Sequence, residues 1–185
     1  MNPMCSVLGQ RIHDQVRILE ELILPDSNTW VACEEFLKRT ENWAPQYGRV
    51  NVYVYGDATG DNRATSASRT DWQIVKDFFG RQSNRYAASF QVSSSNSLVK
   101  DRVNCVNSVL CNHAGERRMF LDPSCKQLIR DFEQVHWKND PNGNPLAVLD
   151  KSDPARTHAS DAAGYYLARE FGMQGKTGFR SERLI

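Results

Sequence analysis

The segment Arg49–Asn62, RVNVYVYGDATGDN, constrains this chain more than any other. A run of β-branched and aromatic residues ends in Gly56, Asp57 and a turn of small residues. An apolar run bounded by turn residues is the pattern of a buried strand. It sets the Asp57 carboxylate at the strand's carboxyl end, where α/β proteins gather binding and catalytic groups. A second carboxylate, Asp161, sits far downstream in THASDAAGYY. Function turns on whether the two meet.

The rest of the chain supplies the frame. CSVLGQRI and QVRILEELIL, parted by His13 and Asp14, read as a β-hairpin over residues 5 to 24. Val16, Ile18, Glu20, Leu22 and Leu24 share one face of its second arm. Ser27 to Lys38 reads as a helix, and Arg49 to Tyr55 as the next strand. Thr70 opens a second helix with Gln73 in the capping-box position. Its core face is Ile74, Val75, Phe78 and Phe79, and Gly80 is its expected stop. Tyr86 to Val92 follows as a strand, so the flanked helix predicts a parallel crossover. Val99, Val103, Val106 and Leu110 recur at helical spacing, with Gly115 as the expected end. Met119 to Asp122 is a short strand, and Ser124 with Gln127 predicts another capping box. Lys138 to Arg156 reads as a long polar loop, of the kind that serves function or moves. Thr157 to Phe171 is the last helix, and the tail from Gly172 to Ile185 is expected to fray. The order predicts an α/β fold with a mixed sheet in one domain over residues 1–171.

Composition narrows the function classes. A chain of 185 residues buries a real core. Its net charge of +1 excludes a bulk basic signal for nucleic acid, so any such binding rests on local patches. No apolar run nears the roughly 20 residues needed to span a bilayer. The opening MNPMCSVLGQRIHD lacks the plan of a signal peptide, which points to the cytoplasm. Five cysteines without CxxC spacing, and scattered histidines, argue for free thiols rather than a zinc site.

Several residues are candidates for chemistry. A carboxylate at Asp57 can hold a hard divalent cation, which takes oxygen ligands and keeps several waters. It can equally form the turn. Asp61 fits a solvated turn, and Asp122 fits helix initiation as well as a metal. Asp161 falls in the first turn of the last helix, where the helix dipole favours any acid. Its small neighbours, Ala162, Ala163 and Gly164, suit close approach, and His158 lies three residues before it. A phospho-accepting receiver domain would need an acidic pair near residues 5 to 12, and none is there. Basic residues group as Lys100, Arg102, Arg117 and Arg118, and as Lys126, Arg130, Lys138, Lys151 and Arg156. They read as phosphate contacts or as solvated helix faces.

The segments YGDATGDNRATSASRTDWQIVKDFF, VKDRVNCVNSVL, LIRDFEQVHW and THASDAAGYY together resemble the C-terminal nuclease domain of tailed-phage terminase large subunits. The resemblance runs from NPMCSVLGQ to about Phe171. It implies an RNase H-like fold, with three acidic residues holding two Mg²⁺ or Mn²⁺ ions for cleavage of double-stranded DNA concatemers. It implies that Asp57 and Asp161 are the second and third acids, with His158 behind them. With that reading, Lys100, Arg102, Lys126, Arg130, Lys151 and Arg156 of the two basic groups are the candidates for contact with DNA. The implied partners are the terminase ATPase domain, the small terminase subunit and the portal, in the cytoplasm of a bacterial host as phage or prophage products.

The sequence departs from that family in one respect. The family's first acid ends a strand just before an NPM segment, whereas this chain opens MNPM. Asp14, on the hairpin, is a poor substitute for it. The expectation is a sheet lacking the family's first strand and acid, with two strand edges left unpaired. That leaves three outcomes open: a metal-dependent endonuclease, an impaired prophage remnant that binds DNA or assembles without cutting, or another RNase H-like nuclease such as a junction resolvase.

Overall fold

The computed structural model describes residues 3–43, 48–62, 68–153 and 155–172. Strands β1 (Met4–Ile12) and β2 (Gln15–Leu24) form the expected antiparallel hairpin. Its turn is made by His13, at a φ of 57°. In β2, Val16, Ile18 and Leu22 are buried on one face, as the alternation predicts. A bulge falls between Leu8 and Gly9. A Cβ at Gly9 would lie 3.0 Å from Ile18 Cδ1, so glycine lets the two arms close there.

Helix α1 (Thr29–Arg39) is capped by the Asn28 side chain. Strand β3 (Val50–Val54) leads through helix α2 (Asp71–Arg81) to strand β4 (Tyr86–Phe90). The two strands pair in parallel, as expected of the crossover. Thr70 and Gln73 form the predicted capping box. Helix α3 (Val99–Leu110), strand β5 (Met119–Leu121) and helix α4 (Lys126–Gln134) follow. Strand β5 joins β2 in parallel, which makes that sheet mixed. The chain then forms strands β6 (Trp137–Asn139) and β7 (Pro145–Leu149) before helix α5 (His158–Phe171).

Three local expectations are corrected. The polar stretch 138–156 is not one long loop, because β6 and β7 pair as an antiparallel hairpin within it. The exposed outer residues Leu146 and Val148 gave that short hairpin no burial pattern to read. The Ser124–Gln127 capping box does not form. Ser124 turns instead to Asp122, and the α4 amides of Gln127 and Leu128 donate to the Glu21 carboxylate on β2, at 2.8 Å each. A tertiary carboxylate thus replaces a local cap. Gly80 and Gly115 do not set the helix ends, which fall at Arg81 and Leu110. Residues 173–185, expected as a frayed tail, lie outside the described residues.

Two hydrophobic clusters result. Val16, Ile18, Val109, Met119, Leu128, Ala163 and Leu167 join the hairpin to α3, α4 and α5. Cys33, Phe78, Phe79 and Tyr86 join α1 and α2 to β3 and β4. Among the described residues β1 pairs with β2 alone, and β3 with β4 alone. Both strands line one cavity of about 1320 Å³. The two unpaired edges expected from the sequence are thus present, on a shared opening. Glu170 of α5 ties them together, accepting from Arg11 Nη1 at 2.6 Å and from Tyr55 Oη at 2.8 Å. All five cysteines are free thiols. Among the described residues no helix is long and apolar enough to cross a membrane.

Candidate active site

Asp57 leaves β3 and caps a 3-10 turn over Ala58–Asp61. Its Oδ1 accepts from Thr59 N, Thr59 Oγ1 and Asn96 Nδ2, each at 2.7 Å. Asn96 in turn accepts from Ala58 N at 2.9 Å, which closes the turn. Trp72, from the start of α2, donates Nε1 to the Asp57 carbonyl at 2.8 Å. The indole explains the glycines of GDATG. A Cβ at Gly56 would lie 2.8 Å from Trp72 Cη2, and one at Gly60 2.7 Å from its Nε1. Asp57 is therefore a turn residue, but its Oδ2 remains directed elsewhere. That oxygen accepts from Tyr165 Oη of α5 at 2.9 Å. Burial pushes the Asp57 pKa up, but the hydrogen bonds from Asn96, Thr59 and Tyr165 outweigh it and hold the carboxyl at about 2. It is ionised throughout the neutral range. Burial and the bond to Asp57 push the Tyr165 hydroxyl up to about 12, which keeps it a donor.

Asp161 lies one turn into α5. Its Oδ1 accepts from Arg102 Nη2 at 2.7 Å, and its Oδ2 from Lys151 Nζ at 3.2 Å. Arg102 comes from α3 and is 6% exposed. Its guanidinium carbon sits 4.7 Å from the centroid of the Tyr165 ring. A Cβ at Gly164 would meet Arg102 Cδ at 2.9 Å, so a side chain there would push the arginine aside. Tyr165 thus touches Asp57 with its hydroxyl and Arg102 with its ring, and Arg102 holds Asp161. The two carboxylates, distant in sequence, belong to one network and line one cavity, as do Asn96, Lys151 and His158.

The other candidates fall elsewhere. Asp61 ends the 3-10 turn and is exposed. Asp122 binds Ser124 N and Oγ at the approach to α4. Among the described residues no three His, Cys, Asp or Glu side chains gather as a metal cluster. Arg102 is buried in the site rather than displayed with Lys100, Lys126 and Arg130, which are exposed. Arg156 pairs with Asp153 at 2.9 Å. Sequence reasoning passed over Trp72, Asn96 and the specific part of Tyr165. Trp72 had a signal, since an indole two residues after the Thr70 cap falls in the first turn of a helix that follows the GDATG turn; Asn96 sits in SSSNS and had none.

No family model matches this chain, and no curated protein matches it. Its structure is similar to the crystal structure of the large terminase nuclease domain of bacteriophage SPP1, solved with bound Mn, at 18% identity over 91% of this chain and 79% of that one, with a TM-score of 0.48.

Proposed function

We propose that this chain is a DNA-packaging nuclease domain of the phage terminase type, built to cut double-stranded DNA with a divalent cation held by Asp57 and Asp161. The observation that carries this reading is their convergence: both acids line one cavity, bridged by Tyr165 and Arg102. The donors are oxygen atoms of the kind a hard cation takes. Asp57 is ionised and its Oδ2 takes one described hydrogen bond, while Asp161 is also a carboxylate at the same opening. A second cation lacks ligands, since no third acid joins the pair among the described residues. Mg²⁺ and Mn²⁺ both suit oxygen donors of this kind.

When bound, such a cation makes a water nucleophilic near neutral pH and offsets charge on the scissile phosphate. The protein's own residues do the positioning. Asn96, Thr59 and Tyr165 fix the direction of the Asp57 carboxylate, and Arg102 fixes that of Asp161. His158, at the start of α5, lines the same cavity, and this reading assigns it a supporting place behind Asp161. Exposed Lys100, Lys126 and Arg130 offer phosphate contacts, which set position rather than sequence. Terminase ATPase, small subunit and portal are the partners this reading assigns, in a host cytoplasm.

A second reading has its own observation. Arg102 and Lys151 together neutralise Asp161, as they would in a remnant that binds DNA or assembles without cutting. Plasmid nicking with Mn²⁺ separates the two. The expected result is relaxed circles from the wild-type chain and a loss of at least about 100-fold in Asp57→Asn, at or beyond the effect of removing a ligand's support. DNA retained on a gel without nicking would favour the remnant.

A further inference from the structure

The two cations on Asp161 are held in different ways. Arg102 is built in: it is 6% exposed, stacked on Tyr165 and packed over Gly164. A planar guanidinium fixed on two sides has little freedom to leave. Lys151 sits at the rim. Its side chain is 59% exposed, and it follows β7 in a polar turn. It reaches Asp161 Oδ2 at 3.2 Å through a flexible stem. An exposed pair of this type is weak and easily exchanged.

The charges sharpen the contrast. Within the network that Tyr165 and Arg102 bridge, Asp57 and Asp161 carry two negative charges and Arg102 and Lys151 two positive ones. The same cavity is also lined by Asp71 and by Arg11 and Glu170, which pair with each other. With both cations on it, Asp161 offers a divalent ion no net attraction. Withdrawing Lys151 leaves that network with one net negative charge. Adding a divalent ion then makes it positive, which attracts a phosphodiester.

We propose that Lys151 is a tethered cation that occupies the divalent ion's place at Asp161, so that ion uptake and Lys151 release are one exchange. This rests on the reading of Asp57 and Asp161 as cation ligands. Arg102 stays throughout and keeps Oδ1 directed, so Oδ2 is the oxygen that changes partner. The released ammonium stays at the cavity mouth, on the side open to solvent, where it meets the incoming phosphate. The same residue therefore restrains ion binding before DNA arrives and adds a phosphate contact afterwards.

Titrating the whole chain with Mn²⁺ and following the free-ion EPR signal tests the exchange without any activity measurement. Lys151→Met should bind Mn²⁺ about two- to five-fold tighter than wild type, the range for releasing an exposed ion pair. Lys151→Arg should return the affinity toward wild type, and the thermal melts of both variants should overlay it. Lys151→Met should also lower DNA affinity in the presence of Mn²⁺. Unchanged or weaker Mn²⁺ binding in Lys151→Met, with a wild type that binds at Asp161 as judged by loss in Asp161→Asn, overturns the exchange and leaves the carboxylate reading intact. A wild type whose Mn²⁺ binding ignores Asp161→Asn overturns both.

Discussion

Replacing Arg102 by Met is expected to lower the unfolding free energy by about 2–4 kcal/mol. Removing one partner of a buried ion pair costs roughly 3–5 kcal/mol, because the other charge is left without compensation. The lower range applies because the Asp161 side chain keeps 20% exposure and retains Lys151. For a chain of 185 residues that is a fall of about 5–15 °C in the melting midpoint. Met keeps most of the volume packed over Gly164, so the loss reports the charge rather than a cavity. The check is a double-mutant cycle by thermal or urea unfolding. With Asp161→Asn already in place, Arg102→Met should cost much less, since no stranded carboxylate remains. Equal costs in both backgrounds would place the role of Arg102 in packing alone.

Asp131→Ala is the second large effect, expected at about 2–3 kcal/mol. Asp131 is fully buried on α4 and accepts from Ser160 N at 3.1 Å and from Gln127 Nε2 at 2.9 Å. Thr157, the residue before α5, is in the left-handed region at a φ of 74° and makes no side-chain cap. Asp131 therefore supplies from another helix the acceptor that the first turn of α5 lacks. Its loss leaves a part-buried amide without this acceptor and empties a fully buried position, the first alone costing roughly 1–3 kcal/mol. Because that turn carries Asp161, Mn²⁺ affinity should fall with stability. Asp131→Asn keeps an acceptor for Ser160 and should recover most of both. Unfolding curves together with the Mn²⁺ titration distinguish this role from simple core filling, which Asn would not rescue differently from Leu.

The fold was legible wherever a segment carried its own period. The alternation of β2, the helical spacing of α3 and the capping box of α2 each predicted the element observed. What failed were features fixed from outside the segment. Ser124 and Gln127 have the form of a cap, but Glu21 from β2 reaches the α4 amides first. The β6–β7 hairpin is short and exposed, so no buried face wrote a pattern into its sequence. The candidate site divides the same way. Asp57 was legible because a strand end and a small-residue turn mark it. Its bond to Tyr165 spans 108 positions, and the pairing of Arg102 with Asp161 spans 59, so neither leaves a local trace. Arg102 reads as one more basic residue on a helix until α5 covers it.

The unpaired edges of β1 and β3 bear on the chemistry as well. They line the cavity that holds the two acids, and Glu170 ties one edge to the other. A cation site completed by two carboxylates at such an opening is expected to bind weakly, which calls for millimolar rather than micromolar metal in any test.

Crystals of the chain soaked in Mn²⁺ and measured at the manganese edge show directly whether Asp57 and Asp161 share a cation. One anomalous peak is expected within coordination distance of both carboxylates, with Lys151 turned away and Arg102 in place. A saturating soak with no peak between those carboxylates, or a structure in which they point into separate regions, would contradict it.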